Sequence, residues 1–411
     1  MSTDETSQKH RQEIFHGDCL ELMKKTKSNT YSAIISDPPY GISYMGRKWD
    51  YDVPSVEVFK EMFRITKSGG YAFIFGGART FHRMAVNMED AGWVLRDTMM
   101  WLYASGFPKS MDLSKAIDKT KGLDREVVGR INLAGTGRGA SSAVTTSAQG
   151  GYEIKNTDMK ITKPNSELAS QYHGYGTSLK PAYEPIIVAM KPNDKNFVNN
   201  IQEHGIGGIN IDGCRIGEDF DRVEYCEEKM KENGGKVPYF FDIHSLERGK
   251  FPANIMHDGS KECKDIFQEH FRAFLCSKPT KQEKEEGLDN FIGKKGHEVS
   301  NRKEGSKGMN NPAAGRRGAK YKNTHPTVKP LDLMRYIATM VKMPNDEALV
   351  LDPYCGSGST VLACKTLDIR CHGFEREEEF VAIGRSRINQ PLKGEFKKWT
   401  WKKVDNQMKL F

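Results

Sequence analysis

Leu349-Val-Leu-Asp-Pro-Tyr-Cys-Gly-Ser-Gly-Ser-Thr360 reads as a short buried strand, a tight turn and the first turn of a helix. Gly356, Ser357 and Gly358 form the turn. Glycine permits positive φ and lets a ligand approach the backbone closely. In an open parallel sheet such a turn lies at the carboxyl ends of the strands, where ligands bind. Asp352, Pro353, Tyr354, Ser359 and Thr360 flank the turn and join it as candidate binding residues. A dinucleotide fingerprint would need a third glycine, and a phosphate loop would need Gly-Lys-Ser/Thr; both are missing, which disfavours nicotinamide and nucleoside-triphosphate readings. Next in the chain, residues 369–374 read as a second strand, ending at Glu375. A carboxylate there can accept two hydrogen bonds from ribose hydroxyls. Glu377, Glu378 and Glu379 read as the solvated start of a helix over 378–389, where carboxylates suit the dipole.

Working upstream, His325-Pro-Thr-Val-Lys-Pro330 opens a predicted helix over 331–341. Thr327 and Lys329 could hold a carboxylate there; a proline-rich helix entry with a surface lysine is the plainer reading. Much earlier, the apolar run Tyr31-Ser-Ala-Ile-Ile-Ser36 predicts a buried strand that delivers the chain to Asp37-Pro38-Pro39-Tyr40. Two prolines fix φ and remove two donors, so the local carbonyls must find partners elsewhere. An exocyclic amino group on a base supplies two donors. The Asp37 carboxylate and the Pro38 carbonyl can accept one each, freeing the nitrogen lone pair for attack. Tyr40 offers a flat face for an extruded base. The tetrapeptide alone serves equally well as a rigid turn. Together with the glycine turn it favours amino-group chemistry. His16-Gly17-Asp18-Cys19 precedes this strand; Asp18, with Cys19 beside it, could bind an adenine amine or simply cap the next helix.

Strand and helix alternate from Ile14 to Tyr103, with helices predicted over 56–65 and 79–91 and strands over 71–75 and 93–103. That is the pattern of a parallel sheet with helices on both faces. Residues 132–180, rich in Gly, Ser, Thr and Ala, predict a long loop, and 185–190 a further strand. From Lys191 to about Asn323 the composition turns polar, with short elements only. The expected division is 1–104, the catalytic half; 105–323, inserted loops with target recognition; 324–392, the cofactor half; and 393–411, a basic tail.

The chain has 411 residues, 37% of them hydrophobic, and a net charge of +8. No stretch is long and apolar enough to span a bilayer, and residues 1–13 lack a signal-peptide core. These features predict a cytoplasmic protein without a membrane partner. The eight cysteines contain no Cys-x-x-Cys pair. Cys214, Cys226, Cys263 and Cys276 do not have zinc-ligand spacing, so no metal is expected. Net charge alone says little. Between Gly293 and Lys322, however, Lys294, Lys295, Arg302, Lys303, Lys307, Arg316, Arg317, Lys320 and Lys322 face only Glu298 and Glu304. A flexible basic loop of this kind can wrap a phosphate backbone and release counterions.

These motifs resemble the β-class DNA amino-methyltransferases, over most of 14–104 and 324–389. The resemblance rests on Asp37 to Tyr40 preceding the recognition region, Gly17-Asp18 before the catalytic strand, His325 to Pro330, and the glycine motif coming last. Lys67 to Gly70, Gly106 to Ser110 and Lys180 to Pro185 look like phage and prophage members. Tyr354 stands where the family usually has Phe. The resemblance implies a Rossmann-like α/β fold with a seven-stranded mixed sheet in permuted motif order and an inserted target-recognition region. It also implies S-adenosylmethionine as cofactor, double-stranded DNA as substrate and base flipping. Homodimers are common in the family, and the partners it suggests are a second copy of the chain and a restriction endonuclease. Asp at position 37 is the family's usual choice for adenine N6; Ser is more usual for cytosine N4. The alternatives are an N4-cytosine enzyme, an RNA or protein-glutamine methyltransferase, and a silent DNA-binding relative.

Overall fold

The computed structural model describes residues 11–43, 48–104, 106, 110–132, 158–216, 251–261, 263, 274–299, 320–344 and 348–391. In chain order the elements used below are β1 (Gln12–His16), α1 (Cys19–Lys25), β2 (Tyr31–Ser36), α2 (Val56–Ile65), β3 (Thr66–Phe75), α3 (Phe81–Asp90), β4 (Val94–Leu102), α4 (Leu113–Thr120), β5 (Val127–Asn132), β6 (Asp158–Thr162), α5 (Glu167–Gln171) and β7 (Tyr183–Met190). Then follow α6 (Phe197–His204), β8 (Ile255–His257), β9 (Phe274–Leu275), α7 (Lys281–Glu285), β10 (Lys294–Lys295), α8 (Gly296–Val299), β11 (Lys320–Tyr321), α9 (Leu331–Met340), β12 (Leu349–Asp352), α10 (Ser359–Thr366), β13 (Arg370–Glu375) and α11 (Glu378–Asn389).

The chain forms two compact units. The first comprises Met1–Tyr103, Tyr183–Asn290 and His325–Phe411. Its sheet runs β1-β13-β12-β2-β3-β7-β4-β8-β9. Every pairing is parallel except the two made by β7. The carboxyl ends of β2, β3, β4, β12 and β13 therefore share one edge. Because β7 runs the other way, its amino end, Tyr183-Glu184, arrives at that same edge.

Side chains alternate between the two faces of the sheet, and both faces are buried. Ala33, Ile35, Phe73, Phe75, Ile186 and Val188 face Leu333, Tyr336 and Ile337 of α9 and Val361 of α10. Ile34, Ala72, Ile74, Ile187 and Ala189 face α2 and α3. In α2 the apolar residues Val58, Phe59, Met62 and Ile65 recur at helical spacing, and the Ser55 hydroxyl caps the first turn by accepting from the Val58 amide. Full burial of each Phe or Ile contributes about 1.5–3 kcal/mol.

Two expectations change here. The seven adjoining strands from β1 to β4 in sheet order are extended by β8 and β9, giving nine. The stretch 105–323 is also divided, with Tyr183–Asn290 belonging to the first unit. Its strands β8 and β9 span only three and two residues. Their stability comes from pairing with β4 and with each other, not from a pattern of their own.

The second unit comprises Ala104–Ala182 and Phe291–Thr324. Within the expected loop 132–180 the described part contains β6 and α5; β6 pairs antiparallel with β5. The buried carboxylate of Asp118 ties this unit together. It accepts from the amides of Asn165 and Ser166 and the Ser166 hydroxyl, and pairs with Arg125 at 3.1 Å. β10 and β11 form a separate antiparallel pair that carries Lys294, Lys295 and Lys320, all exposed.

Candidate active site

Two carboxylates at the edge of the first unit's sheet organise the site. Asp37 follows β2. Its Oδ1 accepts from the Tyr40 hydroxyl at 2.7 Å, and its Oδ2 accepts from Lys329 Nζ at 2.5 Å. The stiff Pro38-Pro39 step has no local ladder, and the chain is fastened just beyond it. Buried Asp50 accepts from the amides of Tyr40 and Gly41 at 2.7 and 3.0 Å, and Thr80 Oγ1 donates to the Tyr40 carbonyl at 2.6 Å. Burial pushes the Asp37 carboxyl above its ordinary value; Lys329 opposes that shift and Glu184 adds to it. Burial acts to lower Lys329, but Asp37 and Glu184 outweigh it, so its ammonium is held above the usual lysine value. One buried cation shared by two partly buried carboxylates accounts for both directions.

Glu375 ends β13 in different company. Its Oε2 accepts from the Gly356 amide at 3.0 Å and its Oε1 from the Glu377 amide at 2.7 Å. Burial raises its carboxyl above the ordinary value, against the pull of the neighbouring amides. Gly356 and Gly358 take φ of 52° and 79°, as the turn requires. A Cβ at Gly356 would lie 2.5 Å from the His325 ring, so the glycine is needed for packing as well as for conformation. Asp352 is buried: it accepts from the Ser36 hydroxyl at 2.7 Å, from the Tyr354 amide at 3.1 Å and from the Thr360 hydroxyl. Burial is the first cause that pushes its carboxyl up to about 6. Asp352 thus locks the ends of β2 and β12 to the start of α10. Pro353 follows it in the turn, without a backbone donor of its own.

Asp37, Thr327, Lys329, Asp352, Tyr354, Ser357, Ser359 and Thr360 line one cleft with His325, Val328, Met334 and Cys355. The two motifs, far apart in sequence, thus meet in space. Two expected binding residues have partners within the chain. Lys329 is not a free carboxylate binder at a helix entry; its ammonium is buried and engaged by Asp37 and Glu184. Asp18 caps α1, its Oδ1 accepting from the Leu20 and Glu21 amides. Cys19 lies partly buried beside Tyr354, and burial raises its thiol to about 11. Of the expected DNA-binding residues, Lys294, Lys295 and Lys320 are described in the second unit. Arg302, Lys303, Arg316 and Arg317 lie outside the described residues.

Three residues escaped the sequence reading. Glu184 opens β7; its Oε2 lies 3.2 Å from the Tyr40 hydroxyl and 3.4 Å from Lys329 Nζ. A carboxylate at the start of an otherwise apolar strand was the available signal. Arg387, nearly fully buried in α11, donates to the Ser357 carbonyl at 2.7 Å and braces the glycine turn. Burial lowers its guanidinium to about 10. Its signal was an arginine on the buried face of a helix. Asp50 gave none beyond an acidic residue ten positions after Tyr40.

The DNA methylase family model matches residues 31–386. The chain is 21% identical to the type II methyltransferase M.HindIII of Haemophilus influenzae, over 91% of this chain and 94% of that protein. It is 39% identical to M2.MboI of Moraxella bovis over 88 residues, 21% of this chain and 32% of that protein. Among solved structures, the M1.HpyAVI–SAM complex aligns at a TM-score of 0.39 and 16% identity, over 92% of this chain and 99% of that one. The cytosine-N4-specific PvuII DNA methyltransferase aligns at 0.41 and 14%, over 93% and 87%.

Proposed function

The chain belongs to the N6/N4 DNA methylase family, and we propose that it transfers a methyl group from S-adenosylmethionine to the exocyclic N6 of an adenine flipped out of duplex DNA. The observation that carries this reading is the position of Asp37 in the cleft. Position 37, where a cytosine reading would want serine, holds the aspartate, and the serine before it, Ser36, is fully buried and donates to Asp352. A carboxylate is therefore the side chain that meets the amino group.

The donor set fits the cofactor. Glu375, at the end of β13, keeps lone pairs for ribose hydroxyls besides the two amides it binds. Thr327 and Ser359 add hydroxyls along the cleft. Arg387 holds the Ser357 backbone, and Asp352 holds Thr360, so the turn is preorganised without ligand. Bound S-adenosylmethionine supplies a methyl group on a sulfonium. Asp37 and the Pro38 carbonyl accept the two amino hydrogens and orient the nitrogen lone pair. Asp50 and Thr80 fix the Tyr40 backbone, and with it the ring face on which the base stacks. Substrate approach is electrostatic: Lys294, Lys295 and Lys320, with Arg302, Lys303, Arg316 and Arg317 in the same stretch, neutralise phosphates, and the second unit reads the target.

Methylation-aware sequencing of DNA from cells expressing the chain tests the reading. N6-methyladenine in one fixed context, lost with Asp37→Ala, is expected. N4-methylcytosine, or equal methylation with Asp37→Ala, overturns it.

A further inference from the structure

Lys329 and Tyr40 stand between two carboxylates. Both oxygens of Asp37 are engaged, one by the ammonium and one by the phenol. The same two donors also lie at 3.4 and 3.2 Å from a single oxygen of Glu184. A phenol has one hydrogen to give, so Tyr40 must choose between the two acceptors. The ammonium sits 5.4 Å from the centre of the Tyr40 ring and 5.0 Å from that of Phe75, aromatic walls that favour a cation along its path. Glu184 itself is fixed on β7, paired across β4 with Trp101. Tyr103 and Lys278 complete its surroundings: the Tyr103 hydroxyl bonds to it, and the Lys278 ammonium lies 3.9 Å from the centre of the Tyr103 ring.

An Asp37 carboxylate neutralised by an ammonium and a phenol is a poor acceptor for an incoming amino group. We propose that Glu184 is a positioning residue that receives Lys329 and the Tyr40 hydroxyl when the target base enters, restoring Asp37 as an acceptor. This rests on the amino-methyltransferase reading above. The handover requires only a swing of the Lys329 side chain and a turn of the Tyr40 hydroxyl about its C–O bond, with the ring in place, and breaks no covalent bond. It also gives Lys329 a purpose, since a lysine permanently bound to Asp37 would work against the reaction.

The test uses the full chain and a duplex carrying its methylation site. Glu184→Gln should lower the single-turnover rate at least tenfold while leaving S-adenosylmethionine affinity within about threefold. Glu184→Asp should recover part of the rate. In a Lys329→Met background, where no ammonium needs receiving, the same Gln replacement should cost less than threefold. The acid limb of the rate profile should also move to lower pH in Glu184→Gln, because Glu184, together with burial, raises Asp37 while Asp352, Lys278, Lys329, Tyr40 and Tyr103 stay in place. Binding gives a readout independent of turnover. The wild-type preference for adenine over purine, which lacks the amino group, should collapse in Glu184→Gln. A wild-type rate in Glu184→Gln, or an equal cost in both backgrounds, overturns the handover while Asp37→Ala remains inactive. Full activity in Asp37→Ala would instead overturn the reading on which it rests.

Discussion

Asp37 and Glu375 are carboxylates at the ends of strands in one sheet, yet they are held by different means. Glu375 is held by two backbone amides from its own neighbourhood, Gly356 and Glu377. Asp37 is held by two side chains, and one of them, Lys329, comes from 292 residues away. Backbone amides cannot leave without unfolding the turn, so Glu375 is a fixed acceptor. Side-chain donors can rotate to another partner, and Glu184 is that partner. A fixed carboxylate suits a ligand bound the same way in every cycle. An exchangeable one suits a group that must first be screened and then exposed.

The contrast breaks most visibly at Asp37. Asp37→Ala should lower methyl transfer at least about 100- to 1,000-fold, with S-adenosylmethionine affinity unchanged by calorimetry. Glu375→Ala should do the reverse and weaken cofactor binding by roughly 10- to 100-fold, as expected for losing about one hydrogen bond to a charged group. Should Asp37→Ala weaken the cofactor just as much, the division of labour between the two carboxylates is wrong. Gly356→Ala should destabilise the fold by about 1–3 kcal/mol in denaturant unfolding, from positive φ and collision with His325. Equal stability would mean that the turn relaxes freely.

Asp352 sharpens the comparison through pH. Its folded value of about 6 lies above the ordinary 3.8, so the folded state holds the proton more tightly. That stabilisation is complete below the unfolded value and is lost as pH rises through 6. Between about pH 4 and 7 the wild type should lose about 2–3 kcal/mol relative to Asp352→Asn, measured by urea unfolding at each pH. The smallest effect is expected in the second unit. Lys294, Lys295 and Lys320 changed together to Gln should reduce the slope of log affinity against log salt by up to about 0.9 for each phosphate no longer neutralised. An unchanged slope would assign them to solvent.

Much of this was legible in sequence. The apolar runs of β2, β3, β7 and β12 and the helical spacing of α2 record burial on both faces, which any parallel sheet imposes on its strands. Asp37 to Tyr40 and the Gly356 turn were legible because each is a local geometric demand: a stiff proline step, a positive φ. The partners of Lys329 were not legible, for the opposite reason. Its motif marks a helix entry, but its charge is decided by what lies across the sheet edge. Glu184, Asp50 and Arg387 were missed on the same account. The sequence by itself determined the strand ends, the turn and the carboxylates with chemistry to offer. The tertiary structure alone decided which carboxylate each cation meets. Strand β7 runs against its neighbours, which brings its first residues to the edge where the parallel strands finish. Pairing direction depends on the whole chain path, and no local pattern encodes it.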